Sequence, residues 1–287
     1  MTFYEFMKAR ESIRLVKETG APWPWTGDPI LQEYKFTNVK REHDRTTKWM
    51  RENWTKPHHN RHPSEVLFNC ALFRYFGTIE FADRIGWQYD FGRSSVRRAI
   101  KEIAAELLAN KKRVFTGAYV ITNQGMSAPK QEVVVDYFLH PFHGACDRLV
   151  ILAEKTKSWK AVAKEMMRLQ GFGGSGFMTK EILQDALHSG VFVNGCDDRN
   201  TYCPIGPGAR RGLNRLAGRD LSAKPKTLLE EAIRLFEARE VEWPKGWIEL
   251  ELHDIQFQLC EYDKYERVRL GEGRPRNRYR RKPNVGT

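Results

Sequence analysis

Apolar positions recur at steps of three and four along most of the chain, which is the period of an amphipathic helix. Residues 3–19 carry Phe3, Phe6, Ile13 and Val16 on one face, and Val66–Phe76 is apolar enough to be core throughout. Two helices are expected over 79–110, the second from about Ser94 to Leu108, and another over Phe138–Glu154, where Pro141 complicates the start. Ser158–Leu169 follows with Trp159, Val162, Met166 and Leu169 in register and Ser158 placed to cap it. Further helices are expected over Thr227–Arg239 and Glu249–Tyr265, separated from what precedes by a linker at Leu221–Lys226. Arg113–Thr122 alternates as a strand would and ends in a turn at Asn123-Gln-Gly, while Val133–Leu139 reads either as a second short strand or as a helix start. The pattern therefore predicts a mainly α fold with at most a small β-hairpin. A domain over residues 1–266 is expected, single or in two lobes with a cleft between them, followed by a basic extended tail over 267–287.

Charge narrows the partner. Lys and Arg number 48 against 36 Asp and Glu, a formal net charge of +12, which favours a polyanion such as nucleic acid. Between Arg267 and Lys282 there are eight basic residues and one acidic, a stretch that repels itself and suits a DNA backbone. The five cysteines are scattered without a CxxC pair, as expected of buried thiols in a reducing cytoplasm. There is no signal core and no apolar run of membrane-spanning length, so a soluble protein away from membranes is expected. His58, His59 and His62 fall in a polar loop without companion ligands and read as surface rather than metal site; neither metal nor cofactor is expected.

One stretch breaks the helical rhythm. After Leu169 come four glycines, Gly171, Gly173, Gly174 and Gly176, and then a new helical pattern with Ile182, Leu183 and Leu187. Glycine turns with positive φ at no steric cost, and bare amides at a helix start can cradle phosphate. The register Gly174-x-Gly176-x-x-Thr179-x-x-Ile182-Leu183 resembles the helix-hairpin-helix of DNA base-excision glycosylases. That resemblance implies DNA-backbone contacts from Gly173, Gly174, Ser175, Gly176 and Thr179, extended by Arg274 and Arg276 of the tail. It also implies a catalytic Asp about twenty residues on, where Asp197 and Asp198 stand; an ordinary helix–turn–helix connection is the alternative.

Two more clusters carry candidate chemistry. Tyr34–Arg45 interleaves Arg41, Asp44 and Arg45 with aromatics, and Gly206-Pro-Gly208 leads into Arg210, Arg211 and Arg215 at a helix start. Guanidinium groups beside free amides suit an anionic leaving group or a DNA phosphate; a solvated basic face would explain them as well. Glu249–Tyr265 brings His253, Gln256, Cys260, Asp263 and Lys264 near one another as helical neighbours.

Taken together, Tyr34–Arg45, Phe68–Phe76, Gly171–Leu183, Gly206–Leu216 and Cys260–Arg267 resemble the bacteriophage thymidine-hypermodification proteins. These are the α-glutamyl/putrescinyl-thymine pyrophosphorylase (amino acid:DNA transferase) group and the helical domain found with 5-hydroxymethyluracil DNA kinases. The resemblance implies a mainly helical, DNA-glycosylase-like fold. It implies a transferase that replaces the pyrophosphate of 5-pyrophosphoryloxymethyl-deoxyuridine, in double-stranded phage DNA, by an amine from an amino acid or a putrescine-like polyamine. The implied setting is the cytoplasm of the infected bacterium, with a 5-hydroxymethyluracil DNA kinase as a candidate partner. No P-loop of the Gly-x-x-x-x-Gly-Lys-Ser/Thr kind is present, so the kinase step is not expected of this chain. A base inside a duplex must be flipped out to react. Asp198 is the first candidate for general base, with Asp44, Asp185 and Asp263 next; for Asp185 a helix cap or salt bridge is the favoured reading. Arg41, Arg45, Asn38, Arg210, Arg211, Arg215 and Lys264 are the candidates for holding substrate and pyrophosphate. Two other readings stay open, a monofunctional base-excision glycosylase (Met178 stands where bifunctional enzymes use a lysine) and a non-catalytic DNA-binding module serving a kinase.

Overall fold

A computed structural model describes residues 1–275 and 277–279. In chain order the helices are α1 (Phe3–Glu18), α2 (Pro29–Glu33), α3 (Arg45–Met50), α4 (Pro63–Phe76), α5 (Ile79–Ile85), α6 (Ser94–Ala109), α7 (Lys130–Glu132), α8 (His140–Thr156), α9 (Trp159–Met166), α10 (Phe177–His188), α11 (Pro207–Leu216), α12 (Leu228–Glu242) and α13 (Leu252–Arg269). The protein is mainly helical, and no strand occurs among the described residues; extended pairing is limited to one antiparallel bridge between Tyr34 and Arg278.

The chain divides into two units. The first joins Met1–Asp44 to the chain from Ile205 onward, and the second is Arg45–Pro204. In the first unit α13 is the axis. Its Leu252, Ile255 and Leu259 are fully buried, and Phe6 of α1 packs its ring 5.7 Å from Tyr262 and 5.1 Å from Tyr265. Helix α11 lies against α13 backbone to backbone: a Cβ on Gly212 would stand 2.3 Å from the Leu259 carbonyl oxygen, so only glycine permits this approach. Helix α13 runs through Arg269, past the tail boundary expected at residue 267. The chain then returns, with Lys35 N–H donating to Asn277 O at 3.0 Å and Tyr279 N–H to Glu33 O at 2.9 Å.

In the second unit α4 is the core helix, buried at every position from Val66 to Phe76. Pro63 opens it in the first turn, and Gly77 closes it in the left-handed conformation with its N–H on Phe73 O. Asn69, buried among these apolar residues, is satisfied on three sides: its Nδ2 donates to Glu65 O and Gln88 O, and its Oδ1 accepts from Gln88 N–H. Helix α8 grows out of α7 through π-helical turns at Val133–Leu139, so the helix-start reading of that stretch holds. Val133, Val134 and Val135 are all fully buried, which removes the one-sided exposure that alternation would need.

The strand expected at Arg113–Thr122 is corrected to irregular chain. Val114 and Ile121 anchor it in the core, but its backbone is engaged elsewhere: Thr116 N–H donates to Phe76 O at 2.6 Å, and Val114 O accepts from the Thr78 hydroxyl at 3.2 Å. Helix ends take the groups that a partner strand would have paired.

Candidate active site

The stretch from Tyr34 to Asp44 leaves α2 in extended conformation and closes with a single 3-10 turn at Arg41–His43. It is fixed to α13 by three polar side chains of that helix. Gln258 Nε2 donates to Asn38 O at 3.1 Å and to Val39 O at 2.8 Å, Glu261 accepts from Thr37 N–H at 3.2 Å, and Asp254 accepts from Arg41 N–H at 3.3 Å. From α1, Arg10 donates to Gln258 Oε1 and Thr37 O. Beyond the single bridge at its Tyr34 end, the loop is thus held by side chains, as a positioned functional loop requires.

Asp44 ends this loop. Its carboxylate accepts Asn38 N–H at 3.0 Å, and Asn38 Nδ2 donates to His43 O at 2.8 Å. Burial pushes the Asp44 carboxyl up to about 6; the Asn38 amide and the Arg41 charge pull the other way, and Glu261 adds to the rise. Asp254, on the other side of Arg41, is also pushed up to about 6 by burial, against the hydrogen bonds it accepts from Glu251 and Arg41 amides. A carboxyl held at such a value takes up a proton near neutrality more readily than an ordinary one, which is the property a general base needs.

The other two candidate carboxylates are held differently. Asp263 lies between Arg211 Nε at 2.8 Å and Arg215 Nε at 2.8 Å, with Arg267 Nε at 3.5 Å, and Arg215 also pairs with Glu272. Those guanidinium groups tie α11 to α13. Asp198 accepts from the Ser158 hydroxyl at 2.7 Å, from Trp159 N–H at 2.6 Å and from Lys160 N–H at 3.0 Å, with Cys196 Sγ at 3.4 Å. Burial alone would raise it, but these donors outweigh burial and hold it below the usual carboxylate range. It caps the N-terminus of α9, whereas the glycine bend follows the C-terminus. The eight residues of α9 set carboxylate and bend about 12 Å apart at 1.5 Å per residue. The length of α9 thus separates this carboxylate from the bend.

The bend itself turns as expected. Gly171, Gly174 and Gly176 have φ of +91°, +66° and +72°, and a Cβ on Gly171 would stand 2.5 Å from the Phe138 ring. Gly174 and Ser175 are exposed at its tip, and Gly173 is half-buried. Thr179 is fully buried, its hydroxyl donating to Phe172 O at 2.8 Å, so it braces the bend from inside. Arg41 is buried in the loop, Arg45 is exposed at the start of α3, and Arg210 is half-buried on α11. Lys264 pairs with Glu261 at 2.7 Å and lies 4.9 Å from the Phe36 ring centroid. Arg274 is exposed, and Arg276 lies outside the described residues.

Sequence reasoning missed Arg10, Asp254, Gln258 and Glu261. Each is an ordinary helical polar residue by pattern; the one available signal was the density of polar residues along α13, few of which are exposed. It favoured a cap or salt bridge for Asp185 in the second unit but did not name the arginines that meet it. There Asp185, fully buried, accepts from Arg74 through both oxygens and from Arg51 at 2.8 Å, and Arg74 reaches Thr47 at 3.2 Å. His58 stacks on Trp87 at 4.1 Å between ring centroids. Among the described residues no three His, Cys, Asp or Glu side chains gather as metal ligands, and no helix is long and apolar enough to cross a membrane.

Comparison with known proteins gives two matches. A family described as "5-hmdU DNA kinase, helical domain" matches residues 1–274. The 5-hmdU DNA kinase of Bacillus phage SP10 is 24% identical over 273 residues, covering 86% of this chain and 41% of the phage protein. This chain thus spans less than half the length of that relative. No solved structure matches.

Proposed function

The chain belongs to the family of the 5-hmdU DNA kinase helical domain, and on that premise we propose that it acts in phage-type hypermodification of thymine in double-stranded DNA, exchanging pyrophosphate for an amine. The substrate is a 5-pyrophosphoryloxymethyl-deoxyuridine turned out of the duplex, and the place of action is the infected bacterial cell. The amine nitrogen bonds to the methylene carbon as the carbon–oxygen bond to pyrophosphate breaks. The electron pair leaves with pyrophosphate, and the ammonium proton passes to a carboxylate.

The observation that carries this reading is Asp44, a carboxyl raised to about 6 on a loop pinned by α13. Asp198 and Asp263 have their oxygens filled by structural donors, so the general-base role is assigned to Asp44. Purified protein given pyrophosphorylated DNA and an amino acid or polyamine should release pyrophosphate and add the amine's mass to the nucleoside. Asp44→Asn should bind the same DNA without that mass gain. Pyrophosphorylated DNA recovered unchanged from the wild-type reaction would reject the exchange.

A second reading is favoured by one fact, that the relative is named a kinase and this chain corresponds to 41% of it. On that reading the chain is a DNA-presenting module. It would accelerate a separate 5-hydroxymethyluracil DNA kinase, and Asp44→Asn would leave the acceleration intact.

A further inference from the structure

Helix α1 sets Arg10, Arg14 and Lys17 at steps of four and three, on one face. They line a cavity of about 40 Å³ together with Thr37, Asn38 and Tyr279, and no acidic side chain lines it. The volume is room for about three waters, the scale of one small ion and too little for a nucleobase. Lys35 brings a further ammonium to the rim: Lys17 Nζ and Lys35 Nζ lie 5.5 and 5.4 Å from the same Tyr279 ring centroid, and Lys17 Nζ is 4.9 Å from that of Trp25.

The two lysines carry the uncompensated charge here. Of the nearby acids, Glu18 pairs with Arg14 at 2.7 Å, Glu11 with Arg14 at 2.5 Å, and Glu33 with Arg278 at 3.1 Å. Arg10 is 5% exposed, gives its terminal nitrogens to the neutral acceptors of Gln258 and Thr37, and has a buried Nε with no hydrogen-bond partner among the described residues. Desolvation, then the charge of Lys35, pulls Lys17 below the usual lysine range, and burial lowers Arg10 to about 10. Arg10 meets Glu261 and Asp44 through space only, and neither Lys17 nor Lys35 has a carboxylate within ion-pair distance among the described residues, so an anion at this ion-sized cavity would complete them.

We propose that this cavity is an oxyanion subsite for a phosphate-class group, held by Arg10, Lys17 and Lys35. Asn38 links it to the loop already described, since it lines the cavity and gives its backbone N–H to Asp44 at 3.0 Å. The subsite rests on the proposed exchange only for the ligand's source, pyrophosphate or a DNA phosphodiester.

Binding of inorganic pyrophosphate and of a short unmodified oligonucleotide to the full chain tests it, read by tryptophan fluorescence and by equilibrium dialysis. Lys17→Gln with Lys35→Gln removes two exposed cations and should leave the fold intact. The double variant should bind pyrophosphate about tenfold or more weakly, the worth of about 1.4 kcal/mol. Displacement of pyrophosphate by the oligonucleotide assigns the subsite to the DNA backbone, and independent binding of the two assigns it to the leaving group. Equal affinities of wild type and double variant for both ligands, or no binding of either ligand by wild type, would overturn the subsite. Neither amine nor modified base enters the assay, so failed exchange with intact pyrophosphate binding would count against the proposed function alone.

Discussion

Asp185 in the second unit is fully buried and Asp44 in the first is half-buried, and the two carboxyls are held in opposite ways. Asp185 accepts a two-toothed hydrogen bond from Arg74 and a third bond from Arg51. Asp44 accepts one backbone N–H and feels Arg41 and Arg10 only through space, with Glu261 opposing them. Burial disfavours the ionised form in both places; at Asp185 guanidinium groups in contact with the carboxylate oppose it, and at Asp44 one amide and two charges at a distance do so. The first arrangement spends a carboxylate on holding α4 to α10, and the second leaves a proton acceptor poised near neutrality. Burial by itself therefore does not separate a structural acid from a chemical one. The count and charge of the donors do.

The contrast is broken most forcefully by exchanging the roles. Asp44→Asn should lower the rate of amine exchange by about 10²–10⁴-fold, the usual worth of a general base, with DNA binding unchanged; steady-state rates and nucleoside mass spectrometry measure it. Arg74→Met should do the reverse. It leaves Asp185 buried without its two-toothed partner, and unfolding in urea should show a loss of about 3–5 kcal/mol. An Arg74→Met protein as stable as wild type would mean that the pair is not what fixes α4 on α10.

A third test sharpens the comparison through pH. The Asp44 carboxyl is raised in the folded state from 3.8 to about 6, so the native protein binds this proton more tightly than the unfolded chain. Its contribution to stability is complete below pH 4, is lost as pH rises towards 6, and changes no further above that. The loss is about 3 kcal/mol, at 1.36 kcal/mol per pKa unit. Urea midpoints measured from pH 4 to 7 should therefore fall more steeply for wild type than for Asp44→Asn. The variant should be the more stable of the two at pH 7 although it is inactive. Parallel curves for the two proteins would show that Asp44 titrates as an ordinary carboxyl.

The helices were legible because their spacing is a local property. Ser158 was readable as a cap, and the structure has its side chain accepting from Ala161 N–H at the start of α9. The bend was legible because positive φ needs glycine. The candidate strand at Arg113–Thr122 failed because pairing is non-local; nothing in its alternation shows that Phe76 and Thr78 will take its backbone groups. The surroundings of the candidate carboxylates were illegible for the same reason. Asp198 sits at the sequence distance that resemblance implied, but distance along the chain does not record which donors close round a carboxylate. Asp44 was visible as a charge beside aromatics, while the residues that set its environment, Gln258 and Glu261, lie more than two hundred positions away.

The smallest effect falls on Asp198, and it discriminates most finely. As a cap on α9 it accepts two backbone N–H groups and the Ser158 hydroxyl. Replacing a capping side chain by alanine typically loses about 0.5–2 kcal/mol, so Asp198→Ala should lower the urea midpoint by that much and leave the rate per folded molecule within a few-fold of wild type. Asp198→Asn keeps one acceptor oxygen and should recover part of the stability. A base at this position would behave otherwise. Asparagine would then restore the fold but not the rate, and the protein would stay stable and lose exchange by the factor assigned above to Asp44. Carried out together, the Asp44 and Asp198 series place the proton acceptor on the pinned loop of the first unit or at the start of α9 in the second. The two outcomes cannot be confused, because Asp44→Asn gains stability at pH 7 while Asp198→Asn loses it.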